Sequence, residues 1–352
     1  MKLLKFEGVR VAGISVCVPD QVVENSQFGA AVFDGEELKK TIDSIGVFKR
    51  HIAPSNVCTS DLCFEAASTL LDCLAVNRDE IGAVIFVTQT PDYHLPATAC
   101  VLQDKLGLPK QTIAFDINLG CSGFVYGLSV VFNLLNQRTI TKALLLVGDT
   151  ASKCVSPLDR SSNLLFGDAG TATLVEADSD TSQVYCTLSS DGSGYKSLII
   201  EGGAYRLQSS SSTLEVREFD SKNKRSLENL YMDGPDIFNF TIREIPKDIL
   251  GLLNATNTDF KEIDLFFFHQ ANKFMIDFLA RKLKIPVEKY PLSLKDYGNT
   301  SSASIPLTIA SARDSFMNGK VKAVLCGFGV GFSWGTMLMD FDGCQILPIK
   351  TY

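Results

Sequence analysis

The sequence predicts an α/β protein built from two related halves. Apolar runs of strand length alternate along the chain with segments of helical periodicity. The strand-length runs are apolar almost throughout, which is typical of sheets that are covered by helices on both faces. In addition, three apolar segments of the first half recur in the same order in the second half, which indicates an internal repeat.

The repeat sets the predicted domain organisation. The matching segments begin at Glu80 and Glu262, at Lys142 and Lys322, and at Gly170 and Gly335, which are 182, 180 and 165 positions apart. The shorter third distance is explained if 152–169 holds an extra loop in the first half. We therefore predict an N-terminal half at 1–180 and a C-terminal half at 181–352.

The same patterns predict the individual elements. Apolar runs predict strands at 9–16, 83–88, 112–118, 143–148, 171–176, 265–269, 323–326 and 336–341. Helical periodicity predicts helices at 59–74, 97–106, 122–135, 272–283 and 302–317. The segment 122–135 is apolar on nearly all sides, so we expect it between layers rather than on the surface. The segment 209–225 is rich in serine and charged residues and predicts an exposed loop or insertion.

The composition argues against several classes of protein. The net charge of −7 over 352 residues argues against general nucleic-acid binding. The ten cysteines include no CxxC pair, so we expect reduced thiols in a cytoplasmic protein rather than disulfides or a metal site. Charges interrupt the first residues and no apolar run is long enough to cross a bilayer. We therefore expect neither a signal peptide nor a membrane segment.

Cys121 is the first candidate for chemistry. It follows the apolar strand predicted at 112–118 and precedes the apolar helix, so we expect the thiol in the first helical turn. The partial positive charge of a helix N-terminus stabilises a thiolate, and the free backbone N–H groups there can hold an oxyanion. The segment therefore predicts a nucleophile at a strand-to-helix elbow. A buried structural cysteine is the alternative that this segment alone leaves open.

A thiol nucleophile needs partners, and the chain has three histidines. His51 lies in a charged context that favours a solvated side chain, and His94 lies in a loop before a helix. His269 ends an apolar strand, and α/β proteins bind their ligands at the carboxyl ends of strands. We select His269 as the partner, with a satisfied core histidine as the alternative.

Two glycine-containing turns complete the candidate site. Asn299 lies in the run Gly-Asn-Thr-Ser-Ser-Ala at 298–303, where the repeat predicts a second elbow equivalent to that of Cys121. A plain helix N-cap is the alternative reading of this turn. The run Gly-Phe-Gly-Val-Gly-Phe-Ser-Trp-Gly at 327–335 lacks the order of a phosphate loop. Its alternating glycines permit close approach of the backbone to a ligand.

Together these motifs resemble the β-ketoacyl-acyl carrier protein synthase III family of thiolase-like condensing enzymes. The matching segments, in chain order, are 45–53, 120–124, 166–170, 269–272, 298–303 and 327–335. The resemblance implies a thiolase fold, with five αβαβα layers built from two related halves, usually in a homodimer. It also implies an acyltransferase of fatty-acid or related specialised biosynthesis that needs no metal or resident cofactor.

The resemblance assigns roles to the matched residues. Cys121 takes an acyl group from acyl-CoA or acyl-ACP (acyl carrier protein), and His269 and Asn299 drive decarboxylation of malonyl-ACP, which then condenses with the acyl group. The backbone N–H groups of Cys121 and Val330 form the oxyanion hole, although the family usually has glycine where Val330 stands. A non-decarboxylating acyltransferase of the same fold and an inactive scaffold subunit are the alternatives. The intact Cys-His-Asn set argues against the scaffold.

Substrate contacts are expected where the chain matches or departs from the family pattern. By resemblance, Arg160 contacts coenzyme A, Leu95 gates the acyl chain, and Phe328 and Pro235 line the substrate path. A tryptophan that stacks on the adenine of coenzyme A in the family is replaced by Lys40, which predicts a different mode of binding or a carrier-bound donor.

An acidic carrier protein requires local positive charge for docking. The predicted helix at 272–283 and the residue after it carry Lys273, Arg281, Lys282 and Lys284. At about 100° per residue, Lys273 and Lys284 share one face, with Arg281 close by. An ordinary solvated helix face is the alternative.

Overall fold

The computed structural model describes residues 2–178, 183–220, 222–316 and 319–352. The strands are β1 (Leu3–Phe6), β2 (Val9–Val18), β3 (Val22–Glu24), β4 (Lys49–His51), β5 (Ile81–Val87), β6 (Ile113–Ile117), β7 (Lys142–Asp149), β8 (Ala169–Ala177), β9 (Val184–Ser190), β10 (Leu198–Ile199), β11 (Arg217–Asp220), β12 (Asn223–Arg225), β13 (Tyr231–Met232), β14 (Leu265–Phe268), β15 (Val321–Gly329), β16 (Ser333–Phe341), β17 (Gln345–Ile346) and β18 (Lys350–Thr351). The α-helices are α1 (Asn25–Phe28), α2 (Gly35–Ile45), α3 (Thr59–Cys73), α4 (Thr98–Lys105), α5 (Gly123–Leu135), α6 (Ser211–Leu214), α7 (Gly234–Ala255), α8 (Lys273–Leu283), α9 (Leu294–Tyr297) and α10 (Ser304–Ser311).

Two large sheets form the frame of the molecule. The first has the strand order β17-β2-β8-β7-β5-β6, with β18 also paired to β2. The second has the order β1-β9-β16-β15-β14. Their central strands are apolar and buried throughout, as the sequence predicts, because helices cover both faces of each sheet.

The repeat of the sequence is confirmed by the directions of the strands. In the first sheet β5 runs parallel to β7, and β7 runs antiparallel to β8. In the second sheet β14 runs parallel to β15, and β15 runs antiparallel to β16. These are the three segment pairs that the sequence matches, so the two halves share one topology.

The layers follow the order αβαβα. Helices α3 and α4 pack on the outer face of the first sheet, and α7, with α8 beside it, packs on the outer face of the second. Helices α5 and α10 contact strands of both sheets and form the central layer. Both sides of α5 face a sheet, which explains why the helix is apolar on nearly all sides. The predicted position of this helix between layers is confirmed.

The ends of the chain cross between the halves. Strand β1 pairs with β9 in the second sheet, whereas β17 and β18 pair with β2 in the first. The predicted division between 180 and 181 falls within 179–182, which lies outside the described residues.

Several predicted elements differ from the structure. The helix predicted at 302–317 is shorter, because 301–303 and 313–316 are 3₁₀ turns on either side of α10, and residue 317 lies outside the described residues. The loop predicted at 209–225 contains α6 and the hairpin of β11 and β12. Helix α7 is missing from the prediction, and Pro246 in its interior interrupts the helical signal.

Within the described residues, the structure contains no helix with the length and apolarity needed to cross a membrane. All ten cysteines are free thiols.

Candidate active site

Cys121 lies in a tight turn between β6 and α5. The N–H of Gly123 donates to the carbonyl of Gly120 at 2.7 Å, which closes the turn, and α5 begins at Gly123 with Ser122 as its N-cap. The expectation of a thiol in the first helical turn is therefore wrong by two residues. The cause is the tight turn, which places Cys121 just before the N-terminus of α5 rather than inside the helix. Cys121 is 6% exposed.

The Cys121 thiol is held in its protonated form. Burial raises its pKa to about 11, although the backbone N–H groups of Val330 and Cys121 and the Ser301 hydroxyl act in the opposite direction. The sequence argument, which expects a thiolate at a helix N-terminus, omits this cost of desolvation. The N–H groups of Val330 and Cys121 are nevertheless directed at the sulfur.

The glycine-rich turn between β15 and β16 packs directly on the Cys121 elbow. A Cβ added at Gly329 would lie 2.6 Å from the Cys121 Cβ and 2.7 Å from its Sγ. A Cβ added at Gly327 would lie 2.8 Å from the Ser122 Cα. Gly327 and Gly329 therefore permit close approach of this turn to the backbone and side chain of the elbow.

His269 follows β14 and reaches the same place from the second half. It is 2% exposed, and its Nδ1 lies 2.7 Å from the Ser304 hydroxyl. The ring of Phe328 stands edge-on to the imidazole at a centroid distance of 5.6 Å. Burial lowers the pKa of His269 to about 3, so the imidazole is neutral at physiological pH.

Asn299 occupies the second elbow. Gly298 before it has a φ of +67°, which favours glycine. The Asn299 Oδ1 accepts from the Ser301 N–H at 2.9 Å, and its Nδ2 donates to the Ala271 carbonyl at 3.4 Å. The side chain therefore organises its own turn and does not cap α10, whose N-cap is Ala303.

Two cavities of about 70 Å³ each meet at Cys121. The first is lined by His269, Asn299, Phe328, Leu165, Ile237 and Met275, among others. The second is lined by Gln89, Thr90, Ala151, Cys154, Ile200, Leu230 and Val330, among others. Cys121, Phe166 and Leu198 line both cavities. A thioester can thus approach the sulfur from one side while an acyl group occupies the other.

An outer groove of about 770 Å³ adjoins the first cavity, because Met232 and Gly234 line both. Pro235, a predicted substrate contact, lines this groove, and so does Arg225. The Arg225 guanidinium lies between the rings of Phe219 and Tyr231, at 3.8 and 4.7 Å from their centroids. Phe219 lies in the hairpin of β11 and β12, where the sequence predicts an exposed loop or insertion.

Asp149 is a buried residue of the site that the sequence reasoning missed. It is 1% exposed and accepts from the Gln89 N–H at 2.7 Å and from the Ser302 hydroxyl at 2.6 Å. It thereby connects the loop after β5 to the turn of the second half, and burial raises its pKa. Asp149 is the last residue of β7. It is therefore a polar residue at the carboxyl end of a buried strand, which is the same sequence signal that selects His269.

Other predicted residues lie apart from the cavities. Leu95 is 77% exposed. Arg160 donates to a carboxylate oxygen of Glu37 at 2.8 Å, and its guanidinium lies 4.5 Å from the Phe33 ring centroid. His51, expected to be solvated, is half-buried and stacks on Tyr297 at 5.2 Å.

The four predicted docking cations differ in their surroundings. Lys273 is paired with Asp277 at 2.5 Å. Lys282 donates to the Ile242 carbonyl at 2.7 Å. Pro246 cannot donate to that carbonyl, so Lys282 replaces the missing helical hydrogen bond of α7. Arg281 lies 5.9 Å from the Phe278 ring centroid, and Lys284 ends α8 in the left-handed conformation at a φ of 57°.

A five-layered fold with cysteine, histidine and asparagine around one cavity defines a thiolase-fold condensing enzyme. The model of the family "3-oxoacyl-[acyl-carrier-protein (ACP)] synthase III" matches residues 115–192, and that of its C-terminal part matches residues 253–341. The chain belongs to the β-ketoacyl-acyl carrier protein synthase III family.

Individual relatives match along nearly the whole chain. The family member from Ehrlichia canis is 36% identical over 338 residues, which cover 94% of this chain and 98% of that protein. The member from Clostridium perfringens is 34% identical over 339 residues, which cover 95% and 99%. The crystal structure of a 3-oxoacyl-(acyl-carrier protein) synthase from Burkholderia xenovorans superposes with a TM-score of 0.92 at 38% identity, covering 100% of this chain and 99% of that one.

Proposed function

We propose that the chain condenses an acyl group held on Cys121 with the malonyl group of malonyl-ACP. In the first half-reaction the Cys121 thiol attacks an acyl thioester, and the carrier leaves as a free thiol that takes the proton. In the second, malonyl-ACP loses carbon dioxide, its α-carbon attacks the acyl-Cys121 carbonyl, and Cys121 is released and protonated. The products are 3-oxoacyl-ACP and carbon dioxide.

The observation that carries this proposal is the convergence of Cys121, His269 and Asn299 on one cavity. In the acylation step, the N–H groups of Cys121 and Val330, which already point at the sulfur, hold the oxyanion of the tetrahedral intermediate. Donors placed where charge develops contribute most when water is excluded, as it is around this buried thiol.

His269 and Asn299 act in the decarboxylation step. The His269 Nδ1 lies 2.7 Å from the Ser304 hydroxyl. In the tautomer that this step requires, the hydroxyl donates to Nδ1, and the imidazole proton lies on Nε2 and can be donated to the thioester carbonyl of the malonyl group. The second proton of the Asn299 amide is available for the same oxygen, since one already points at Ala271. The two donors stabilise the enolate that forms as carbon dioxide leaves. This chemistry uses protein groups and the two thioesters alone.

The acyl donor is acyl-CoA or acyl-ACP, and we propose that the enzyme works in the cytoplasm as a homodimer. The edge strand β6 supports the dimer, because Ile113 on it is 42% exposed, and the loop between β5 and α4 carries Tyr93 and Leu95 at 59% and 77% exposure. A second copy that pairs at this edge would cover them. Sedimentation at micromolar concentration should show twice the mass of one chain.

The function is tested by following its two half-reactions separately. The protein is incubated with short acyl-CoA and acyl-ACP and examined by intact mass, and carbon dioxide release is then measured with malonyl-ACP. We expect the added acyl mass on the Cys121 peptide, and its absence in Cys121→Ala, which should keep malonyl decarboxylation because His269 and Asn299 remain. Acylation without carbon dioxide release in the unaltered protein would instead establish a non-decarboxylating acyltransferase.

A further inference from the structure

The buried thiol of Cys121 must lose its proton before or as it attacks a thioester. Burial raises its pKa to about 11, so about one thiol in 10⁴ is ionised at pH 7, whereas the thiolate is the nucleophile. His269 is a weak acceptor for this proton, because burial lowers its pKa to about 3, and a general base works best with a pKa near the working pH. The acylation step therefore requires another base beside the sulfur.

Asp149 is a buried carboxylate in the same cavity. It lines the second cavity together with Cys121 and Ser301, and it is 1% exposed. Neutral donors hold it in place, among them the Gln89 N–H at 2.7 Å and the Ser302 hydroxyl at 2.6 Å. Burial raises the pKa of Asp149 above its ordinary value of 3.8, which makes it a stronger base than an exposed aspartate.

Ser301 connects this carboxylate to the thiol. Burial raises the pKa of Cys121 and of Asp149, and the Ser301 hydroxyl acts against it in both, so it interacts with both groups. A serine hydroxyl has one proton to donate, and its oxygen accepts from a second group. When it donates to the carboxylate, its oxygen is left to accept from the thiol. Ser301 also has a φ of +50°, a conformation that residues with a side chain rarely adopt and that clusters at active sites.

We propose that Asp149 accepts the proton of the Cys121 thiol through the Ser301 hydroxyl during acylation. This inference rests on the proposed function, because it concerns the first half-reaction. As the bond between Sγ and the acyl carbonyl carbon forms, the thiol proton passes to the Ser301 oxygen, and the Ser301 proton passes to the carboxylate.

The proton returns when the carbon–sulfur bond to the carrier breaks. The leaving sulfur lies beside Sγ, since both are bonded to one carbon in the tetrahedral intermediate. The neutral carboxyl of Asp149 gives its proton back along the same path, and the carrier departs as a free thiol. Ser301 is thus a catalytic residue, and Asp149 acts through it.

The relay is tested by the pH dependence of acylation in the full-length protein. In Ser301→Ala, single-turnover acylation, followed by intact mass, should be about 10²-fold slower at pH 7, as for loss of a general base. The loss should shrink about tenfold for each pH unit up to pH 9, because the ionised fraction of a thiol with a pKa of about 11 rises in that proportion. Asp149→Asn should show the same loss and slope. Carbon dioxide release from malonyl-ACP should be unchanged in Ser301→Ala, because the N–H that donates to Asn299 belongs to the backbone.

Thr300→Val is the matched control. It removes a hydroxyl from the same turn, and among the described residues the Thr300 hydroxyl has no hydrogen-bond partner. Acylation of this variant should match that of the unaltered protein at each pH. A loss in Ser301→Ala that stays constant from pH 7 to 9 overturns the relay, since a merely displaced thiol is slower by one factor throughout. The absence of any loss overturns it as well.

Alkylation by iodoacetamide separates the relay from the proposed function. If acyl-CoA and acyl-ACP both fail to acylate the unaltered protein, the proposed function fails, and the alkylation rate of the Cys121 peptide then decides. Slower alkylation in Ser301→Ala at pH 7, with a difference that closes by pH 9, supports the relay, and equal rates at pH 7 overturn it. Burial and the charge of Asp149 raise the pKa of the neighbouring Cys63 and Cys154 thiols, so these stay protonated over this range.

Discussion

The two halves reach one cavity through equivalent turns that are held in different ways. Cys121 and Ser301, 180 positions apart, lie just before α5 and α10, the two helices of the central layer. The first turn leaves a strand, since β6 is paired along its length with β5. The second follows the short helix α9, and Asn299 joins it to Phe166 through a single β-bridge.

Because of this difference, the Asn299 side chain both holds its own turn and has a role in the proposed reaction, whereas the Cys121 side chain has only the role in the reaction. In the first turn, the strand ladder and the Gly120–Gly123 hydrogen bond hold the backbone, so the Cys121 side chain is not needed to maintain it. In the second, the Asn299 side chain both accepts from the Ser301 N–H and presents the amide donor. A substitution at Asn299 therefore separates the two roles only if it keeps the acceptor oxygen.

The substitution Asn299→Asp should have the largest effect on the second turn. Aspartate keeps an oxygen for the Ser301 N–H, but it removes the amide donor and places a negative charge beside the forming enolate. Carbon dioxide release from malonyl-ACP should fall on the order of 10²- to 10³-fold, as when an oxyanion-hole donor is removed. Acylation of Cys121, followed by intact mass under single-turnover conditions, should stay within about threefold, since its donors are the backbone groups of the first turn. An equal loss of both half-reactions would show that the two turns act as one unit.

Gly329→Ala should damage the first turn instead. The added Cβ would meet the Cys121 Cβ and Sγ at 2.6 and 2.7 Å, and the turn would have to shift to relieve the contact. A shift of the nucleophile by a fraction of an ångström to one ångström lowers the acylation rate by up to about 10²-fold. Malonyl decarboxylation should change little.

The control for this change is Gly192→Ala, because a Cβ at Gly192 meets nothing within 4 Å. Comparable acylation rates in Gly329→Ala and the unaltered protein would contradict the close packing of the glycine-rich turn on Cys121.

Local sequence patterns predicted the parts of the site that lie at strand ends. The strand ending before His269 and the turn at Asn299 both follow from apolar periodicity and glycine punctuation, and the structure brings both residues to Cys121. Their roles in the reaction stay predictions. Asp149 carries the same signal, but no motif in the sequence marks it as a partner of a thiol.

The walls of the cavities could not be predicted in this way. Leu198, Met232 and Ile237 come from a two-strand ladder and from α7, and only the three-dimensional packing brings them beside Cys121. The pKa of Cys121 could not be predicted for a related reason. The helix N-terminus can be read from the chain, but burial, which raises the pKa to about 11, is a property of the assembled layers.

The two turns should also respond differently to pH. Burial lowers the pKa of His269, beside the second turn, to about 3 from an ordinary value of 6.5, whereas that of Cys121 lies at about 11. Between pH 6.5 and 5 the unfolded chain therefore binds a proton at His269 that the folded protein does not. Stability contributed by the neutral buried imidazole is complete above pH 6.5 and is lost as pH falls. At 1.36 kcal/mol for each pH unit, the loss by pH 5 is about 2 kcal/mol.

This loss can be isolated by urea unfolding of the unaltered protein and of His269→Gln at both pH values, because other titrating groups act alike in both chains. The difference in unfolding free energy between the two should shrink by about 2 kcal/mol from pH 6.5 to pH 5. A difference that stays constant would mean that His269 is hydrated in solution, and the cavity would then lack the dry environment on which its hydrogen bond to the malonyl carbonyl depends. Cys121→Ala should show no such change over this range, since the thiol remains protonated in both the folded and the unfolded chain.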